Sequence, residues 1–171
     1  RVFVEKKAFV FDSELLSNQD YDGLHGYFQS PKYFEIYKNE LVLLFKLPLC
    51  TKDTIWFKEK ISQSINPVAI HYRDYESLGS IAVSNLMGEV SVKYYKEAIS
   101  TIEKTTVNST YFVFSNNIQK AKEIFLDIKN VIFVDYISEN VWEDLALMSI
   151  CNHNIISNSS YSWWSAYLNT N

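Results

Sequence analysis

Arg73 stands near the end of the segment Val68-Ala69-Ile70-His71-Tyr72-Arg73-Asp74, an apolar run that turns polar at its carboxyl end. A planar guanidinium at such a point can grip a phosphate in two places, where a lysine offers only a point charge. His71 lies two positions earlier and falls on the same side as Arg73 if the strand extends that far. Ser115-Asn116-Asn117, Asp135 and Ser157-Asn158-Ser159-Ser160 also follow apolar runs. Small hydroxyl and amide side chains at these junctions either cap the next helix or hold an anion at its positive end. For Ser159 and Ser160 alone, capping is the simpler account; an arginine on the same rim turns the balance toward phosphate. Asp144, in Glu143-Asp144-Leu145, and Glu76, just past Arg73, supply carboxylates in the stretches that follow two of the runs. Glu76 is the candidate general base. Asp20-Tyr21-Asp22 has an Asp-x-Asp form but lies in a turn-like stretch before any buried strand, so no metal site is expected. No Cys/His cluster, Walker loop or Gly-x-Gly-x-x-Gly occurs, and four glycines leave little room for one.

The elements that must position these groups follow from hydrophobic patterning. Val68-Ala69-Ile70, Tyr111-Phe112-Val113-Phe114, Val131-Ile132-Phe133-Val134 and Asn154-Ile155-Ile156 are continuously apolar or nearly so. That is the pattern of strands buried on both faces. Between them lie helical periods: Val92, Tyr95, Ile99, Ile102; then Ile118, Ala121, Phe125, Ile128; then Val141, Leu145, Met148. The alternation predicts an α/β fold with a parallel, doubly wound, Rossmann-like sheet, whose ligand sits beyond the carboxyl ends of the strands. Residues 1–66 read differently. Val2-Phe3-Val4 and Ala8-Phe9-Val10-Phe11 suggest two strands. Ser30-Pro31 starts a helix through Tyr33, Tyr37, Leu41 and Leu44, and a second helix spans about Thr51 to Ser64. Asn66-Pro67 marks the boundary, giving domains 1–66 and 67–171.

Composition narrows the function. The chain has 171 residues, 47% hydrophobic and 16% aromatic, enough for a sizeable core. A net charge of −4 disfavours broad binding to nucleic acid or an anionic membrane. Cys50 and Cys151 fit two reduced thiols of a cytoplasmic protein. The longest apolar run, Leu41 to Phe45, is far too short to span a membrane.

The stretch from Glu143 to Asn169 resembles the C-terminal signature of glycosyltransferase family 11, the α-1,2-fucosyltransferases. That signature is Asp-Leu-x-Leu-Met-Ser-x-Cys followed by Asn-Ser-Ser-Phe-Ser-Trp-Trp. Here it reads Asp144-Leu145-Ala146-Leu147-Met148-Ser149-Ile150-Cys151 and Asn158-Ser159-Ser160-Tyr161-Ser162-Trp163-Trp164. Gly26-Tyr27-Phe28-Gln29-Ser30, Tyr94-Tyr95-Lys96-Glu97-Ala98-Ile99 and Phe114-Ser115-Asn116-Asn117-Ile118 agree in order.

The resemblance implies a GT-B-like, inverting, metal-independent enzyme that moves L-fucose from GDP-fucose to a glycan acceptor ending in galactose. No cofactor is implied beyond the donor. Related fucosyltransferases carry a His-x-Arg-Arg-x-Asp motif; here the stretch is His71-Tyr72-Arg73-Asp74-Tyr75, so His71 and Arg73 match and the second Arg with its neighbour is absent. By the resemblance Arg73 holds the β-phosphate, His71 and Asp144 contact guanine, and Ser159 and Ser160 bind phosphates. Ser115, Asn116 and Asn117 complete the donor site, with Asn116-Asn117 where the family usually has Asp-Asp. It also implies that a Gly-Gly-Leu-Gly-Asn-Gln segment and most of the acceptor-side domain lie upstream, with residues 1–66 as that domain's end. The expected location is the cytoplasm, with the inner face of the membrane as an alternative reached through the acceptor. The rival reading is a degenerate, non-catalytic sugar-nucleotide or glycan-binding module.

Overall fold

The computed structural model describes residues 1–17, 20–78, 88, 90–136 and 140–171. The chain forms two compact units, Arg1–Phe45 and Lys46–Asn171. In the first, β1 (Val2–Val4) pairs in parallel with β2 (Gly23–His25), and α1 (Glu14–Ser17) lies between them in sequence. The strand expected at Ala8–Phe11 does not form. Phe9 adopts φ 65°, a left-handed conformation that breaks an extended run. The single helix expected from Ser30 is instead two 3₁₀ turns, Pro31–Tyr33 and Glu35–Tyr37, followed by α2 (Lys38–Leu44). Phe34, at φ −139° and ψ 7°, interrupts the helical path between the turns.

In the second unit α3 (Lys52–Gln63) starts at Thr51, whose hydroxyl accepts from Thr54 N–H in a reciprocal capping box. The sequence places this helix before the 66/67 boundary, yet it belongs to the unit built on the sheet. β3 (Asn66–Tyr72), α4 (Val92–Glu103), β4 (Ser109–Ser115), α5 (Ile118–Phe125), β5 (Val131–Phe133), α6 (Trp142–Ser149), β6 (His153–Ile155) and α7 (Ser160–Tyr167) follow in order. The sheet is entirely parallel in the order β5-β4-β3-β6.

Each face is sealed by its own helices, which is why the strands read as unbroken apolar runs. Val68, Ile70 and Tyr72 pack with Tyr95 and Ile99 of α4 and Ala121 and Phe125 of α5. On the other face Ala69, Phe112 and Phe114 pack with Phe57 and Ile61 of α3 and Leu147 and Met148 of α6. The stripe of α6 is turned from the expected one: Val141 is exposed, and Glu143, Ala146, Leu147 and Met148 are buried. Glu143 faces inward because its Oε1 accepts from Cys50 N–H (2.7 Å), Thr51 N–H (3.1 Å) and Thr54 Oγ1 (3.0 Å). These bonds satisfy a fully buried carboxylate and tie α6 to the start of α3. Cys50 and Cys151 are both free thiols, and burial pushes that of Cys151 up to about 12.

Candidate donor-binding site

A cleft of about 750 Å³ opens at the carboxyl ends of the strands. His71, Arg73, Ser115, Asn116, Asp144, Ser159 and Ser160 all line it. They come from the ends of β3 and β4 and from the first turns of α6 and α7, so a parallel sheet brings together residues far apart in sequence.

Arg73 is held by its neighbours. Its guanidinium lies over the Tyr75 ring, 5.8 Å from the centroid, and the Tyr75 hydroxyl donates to the Asn158 carbonyl. The arginine is thereby linked to the loop that delivers Ser159 and Ser160. Ser159 is the N-cap residue of α7, but its side chain makes no capping bond. The capping account of that hydroxyl is therefore not realised in this structure.

His71 is buried, and its Nδ1 shares a hydrogen bond of 2.7 Å with Ser157 Oγ. Burial first, and the neighbouring Arg73 charge second, lower its pKa to about 4. The imidazole is neutral near pH 7, so one ring nitrogen is an acceptor and the other a donor.

Asp144, in the first turn of α6, is partly buried. Tyr136 Oη donates to its Oδ1 at 2.6 Å. Burial raises the Asp144 pKa above the usual carboxylate range; the Tyr136 bond works against the shift and the Glu143 charge with it. Burial, reinforced by the Asp144 carboxylate, pushes the Tyr136 hydroxyl upward as well. Sequence reasoning passed over Tyr136, Asn140 and Tyr161, which also line the cleft. A polar aromatic directly after Asp135 and another directly after Ser160 were the available signals.

Two expected residues sit outside the cleft lining. Asn117 caps α5, accepting from Lys120 N–H at 3.2 Å, and donates through Nδ2 to Asp74 Oδ2 at 2.7 Å. Glu76 has a 70% exposed side chain paired with Lys120 Nζ at 3.1 Å. Asn116 does line the cleft, but its amide is engaged: Oδ1 accepts from Asp74 N–H (2.9 Å) and Nδ2 donates to Asp74 O (3.0 Å). Asp74 is only 2% exposed. Burial opposes its charge, but bonds from Asn117, Lys120 and Ser77 N–H outweigh that and lower its pKa. Asp20 and Asp22 lie in the first compact unit. Among the described residues no group of three His, Cys, Asp or Glu side chains converges as a metal site would require.

A strand-end cleft with an arginine over an aromatic ring, a neutral histidine, two N-terminal serines and a partly buried carboxylate fits a phosphate-bearing nucleotide. The glycosyl transferase family 11 model matches residues 14–171.

The chain belongs to glycosyl transferase family 11.

It is 32% identical over 154 residues to the O-antigen biosynthesis glycosyltransferase WbnK of Escherichia coli, covering 86% of this chain and 50% of that protein. It is 30% identical over 147 residues to an alpha-1,2-colitosyltransferase of Escherichia coli, covering 84% of this chain and 50% of that protein. The chain therefore spans about half the length of the curated relatives it matches. No solved structure matches it. Among the described residues no helix is long and apolar enough to cross a membrane.

Proposed function

We propose that this family 11 glycosyltransferase moves L-fucose from GDP-fucose to a hydroxyl of a galactose-terminated glycan, by an inverting and metal-independent route within a GT-B-like enzyme. The observation that carries the reading is the meeting of Arg73, Ser159 and Ser160 with His71 and Asp144 around one strand-end cleft. In this reading Ser159, Ser160 and Arg73 take the diphosphate. Asp144 and His71 take the base, because guanine presents adjacent N1–H and N2–H₂ donors to a carboxylate. Ser115 and Asn116 border the ligand, and Asn117 supports the site from behind.

The acceptor hydroxyl oxygen attacks C1 of fucose as the bond from C1 to the β-phosphate oxygen breaks, with inversion at C1. Negative charge grows on the phosphate, and Arg73 with the α7 N-terminus stabilises it in a partly dry cleft. The acceptor proton passes to a base. Glu76 is the sequence candidate, but its carboxylate is committed to Lys120 outside the cleft. The remainder of the acceptor-side domain, which the unit Arg1–Phe45 would complete, is the other source. The protein would act in the cytoplasm, at the inner membrane face where its acceptor is held there.

The deciding experiment is a donor screen on the whole protein with GDP-fucose, GDP-colitose, UDP-galactose and CMP-sialic acid, reading transfer and hydrolysis. Turnover of GDP-fucose supports the proposal. GDP-colitose enters because a relative is named a colitosyltransferase. Tight GDP binding with no turnover of any donor points to the non-catalytic module, a reading favoured by the absent second Arg and by Asn116-Asn117.

A further inference from the structure

The first turn of α6, which carries Asp144, is not closed in the ordinary way. A helix joins the N–H of each residue to the carbonyl four positions earlier, and for Leu145 that carbonyl belongs to Val141. Here Leu145 N–H donates to Tyr161 Oη at 2.9 Å, and Tyr161 Oη donates onward to Val141 O at 2.5 Å. A hydroxyl from the neighbouring helix bridges the two backbone groups, an insertion into the hydrogen-bond ladder of this turn. Val141, the N-cap residue, has helical dihedrals and supplies no side-chain cap, so the cap comes from α7. Tyr161 follows Ser160 directly, and its ring lies 5.8 Å from His71. Burial and the Asp144 charge push its hydroxyl well above the ordinary range, which keeps the proton on the oxygen for the bond to Val141.

We propose that Tyr161 is a positioning residue for base recognition: its hydroxyl, wedged into the first turn of α6, sets where Asp144 presents its carboxylate and ties that placement to the helix that begins with Ser160. The proposal rests on the reading of Asp144 as the guanine-binding carboxylate. Tyr136 fixes one oxygen of Asp144, and Tyr161 fixes the backbone that carries it. Tyr161→Phe keeps the ring and its contact with His71, removes the wedge, and lets Leu145 and Val141 bond directly. Asp144 then shifts by a fraction of a turn. Two matched bonds to guanine tolerate such a shift poorly, since hydrogen bonds weaken steeply as angle and distance depart from ideal.

The test compares GDP with IDP, which lacks only the exocyclic amine, by calorimetric binding to the whole protein and to Tyr161→Phe. Wild type is expected to prefer GDP, and Tyr161→Phe to lose about tenfold of that preference, the scale of one hydrogen bond to a charged group. If Tyr161→Phe weakens both nucleotides equally and keeps their ratio, Tyr161 is merely structural and the proposal is overturned. If wild type itself binds GDP and IDP equally, the assignment of Asp144 to the base fails first and takes this proposal with it. Should Tyr161→Phe not fold, NMR of the wild type decides: a slowly exchanging Tyr161 hydroxyl proton with a cross-peak to the Leu145 amide is expected, and its absence overturns the wedge.

Discussion

Asn117 Nδ2 donates to Asp74 Oδ2 at 2.7 Å, so the residue that caps α5 also holds the buried carboxylate just past Arg73. Asn117 stands with Asn116 where the family usually has Asp-Asp, so an amide donates here where a carboxylate could only accept. Lys120 Nζ, 3.2 Å from Asp74 Oδ1, supplies the cation for this buried carboxylate. The loop just past Arg73 remains anchored to the start of α5 through both backbone groups of Asp74.

These contacts predict non-additive mutations. Asp74→Arg alone places a cation beside Lys120 in a nearly sealed site, and a cost of about 3 kcal/mol or more in denaturant unfolding is expected. Combining it with Asn116→Asp and Asn117→Asp should recover on the order of 1–2 kcal/mol, as groups in contact do. Strict additivity of the three changes would show that these positions are independent.

The buried histidine gives a stability profile with a definite sign. His71 is depressed to about 4 when folded, while an unfolded histidine titrates near its model value of 6.5. Between these values the unfolded chain holds more protons, so acid favours unfolding. Lowering pH from about 6.5 to about 4 should remove up to about 3 kcal/mol, and His71→Gln should flatten that part of the curve. Asp74 adds its own loss only at lower pH, as its lowered pKa is approached. A wild-type curve that is level across this window would contradict the assignment.

Base selectivity should follow Asp144. GDP is expected to raise the melting temperature of the whole protein while UDP and CDP do little. Asp144→Asn should reduce the GDP shift more than the UDP shift, because an amide offers one acceptor to two donors. Equal shifts with all three nucleotides would remove guanine from the account.

Transfer is expected to be indifferent to EDTA, because Arg73 and the α7 N-terminus are assigned the charge that a metal would otherwise carry. Loss of activity that Mn²⁺ restores would return attention to Asp20 and Asp22 or to the upstream domain.

The sheet was legible in the sequence for a physical reason. Strands β3 and β4 are covered on both faces, so nothing interrupts their apolar runs, and the polar residues collect at their ends. Arg73, His71, Ser159 and Ser160 stood out there because a parallel sheet has one functional edge, whereas Asp144, inside a helix, was singled out only by the family resemblance. What could not be read depends on contacts far apart along the chain. The turned face of α6 follows from the pull of Cys50, Thr51 and Thr54 on Glu143. The roles of Tyr136 and Tyr161 follow from partners on other elements. In the first unit, apolar content alone suggested a strand at Ala8–Phe11, but the left-handed turn at Phe9 sent the pairing of β1 to Gly23–His25.

The central claim is that Arg73 stabilises the departing phosphate, and the turnover of Arg73→Lys tests it most directly. Lysine keeps the charge but neither the two-point fork nor the flat face that lies over Tyr75. Charge on the phosphate grows only as the bond to C1 breaks, so the loss should fall on kcat more than on donor affinity. With GDP-fucose as donor the account predicts a drop in kcat of about a hundredfold or more, with unchanged melting temperature. An Arg73→Lys enzyme that folds normally and keeps most of its turnover would contradict it.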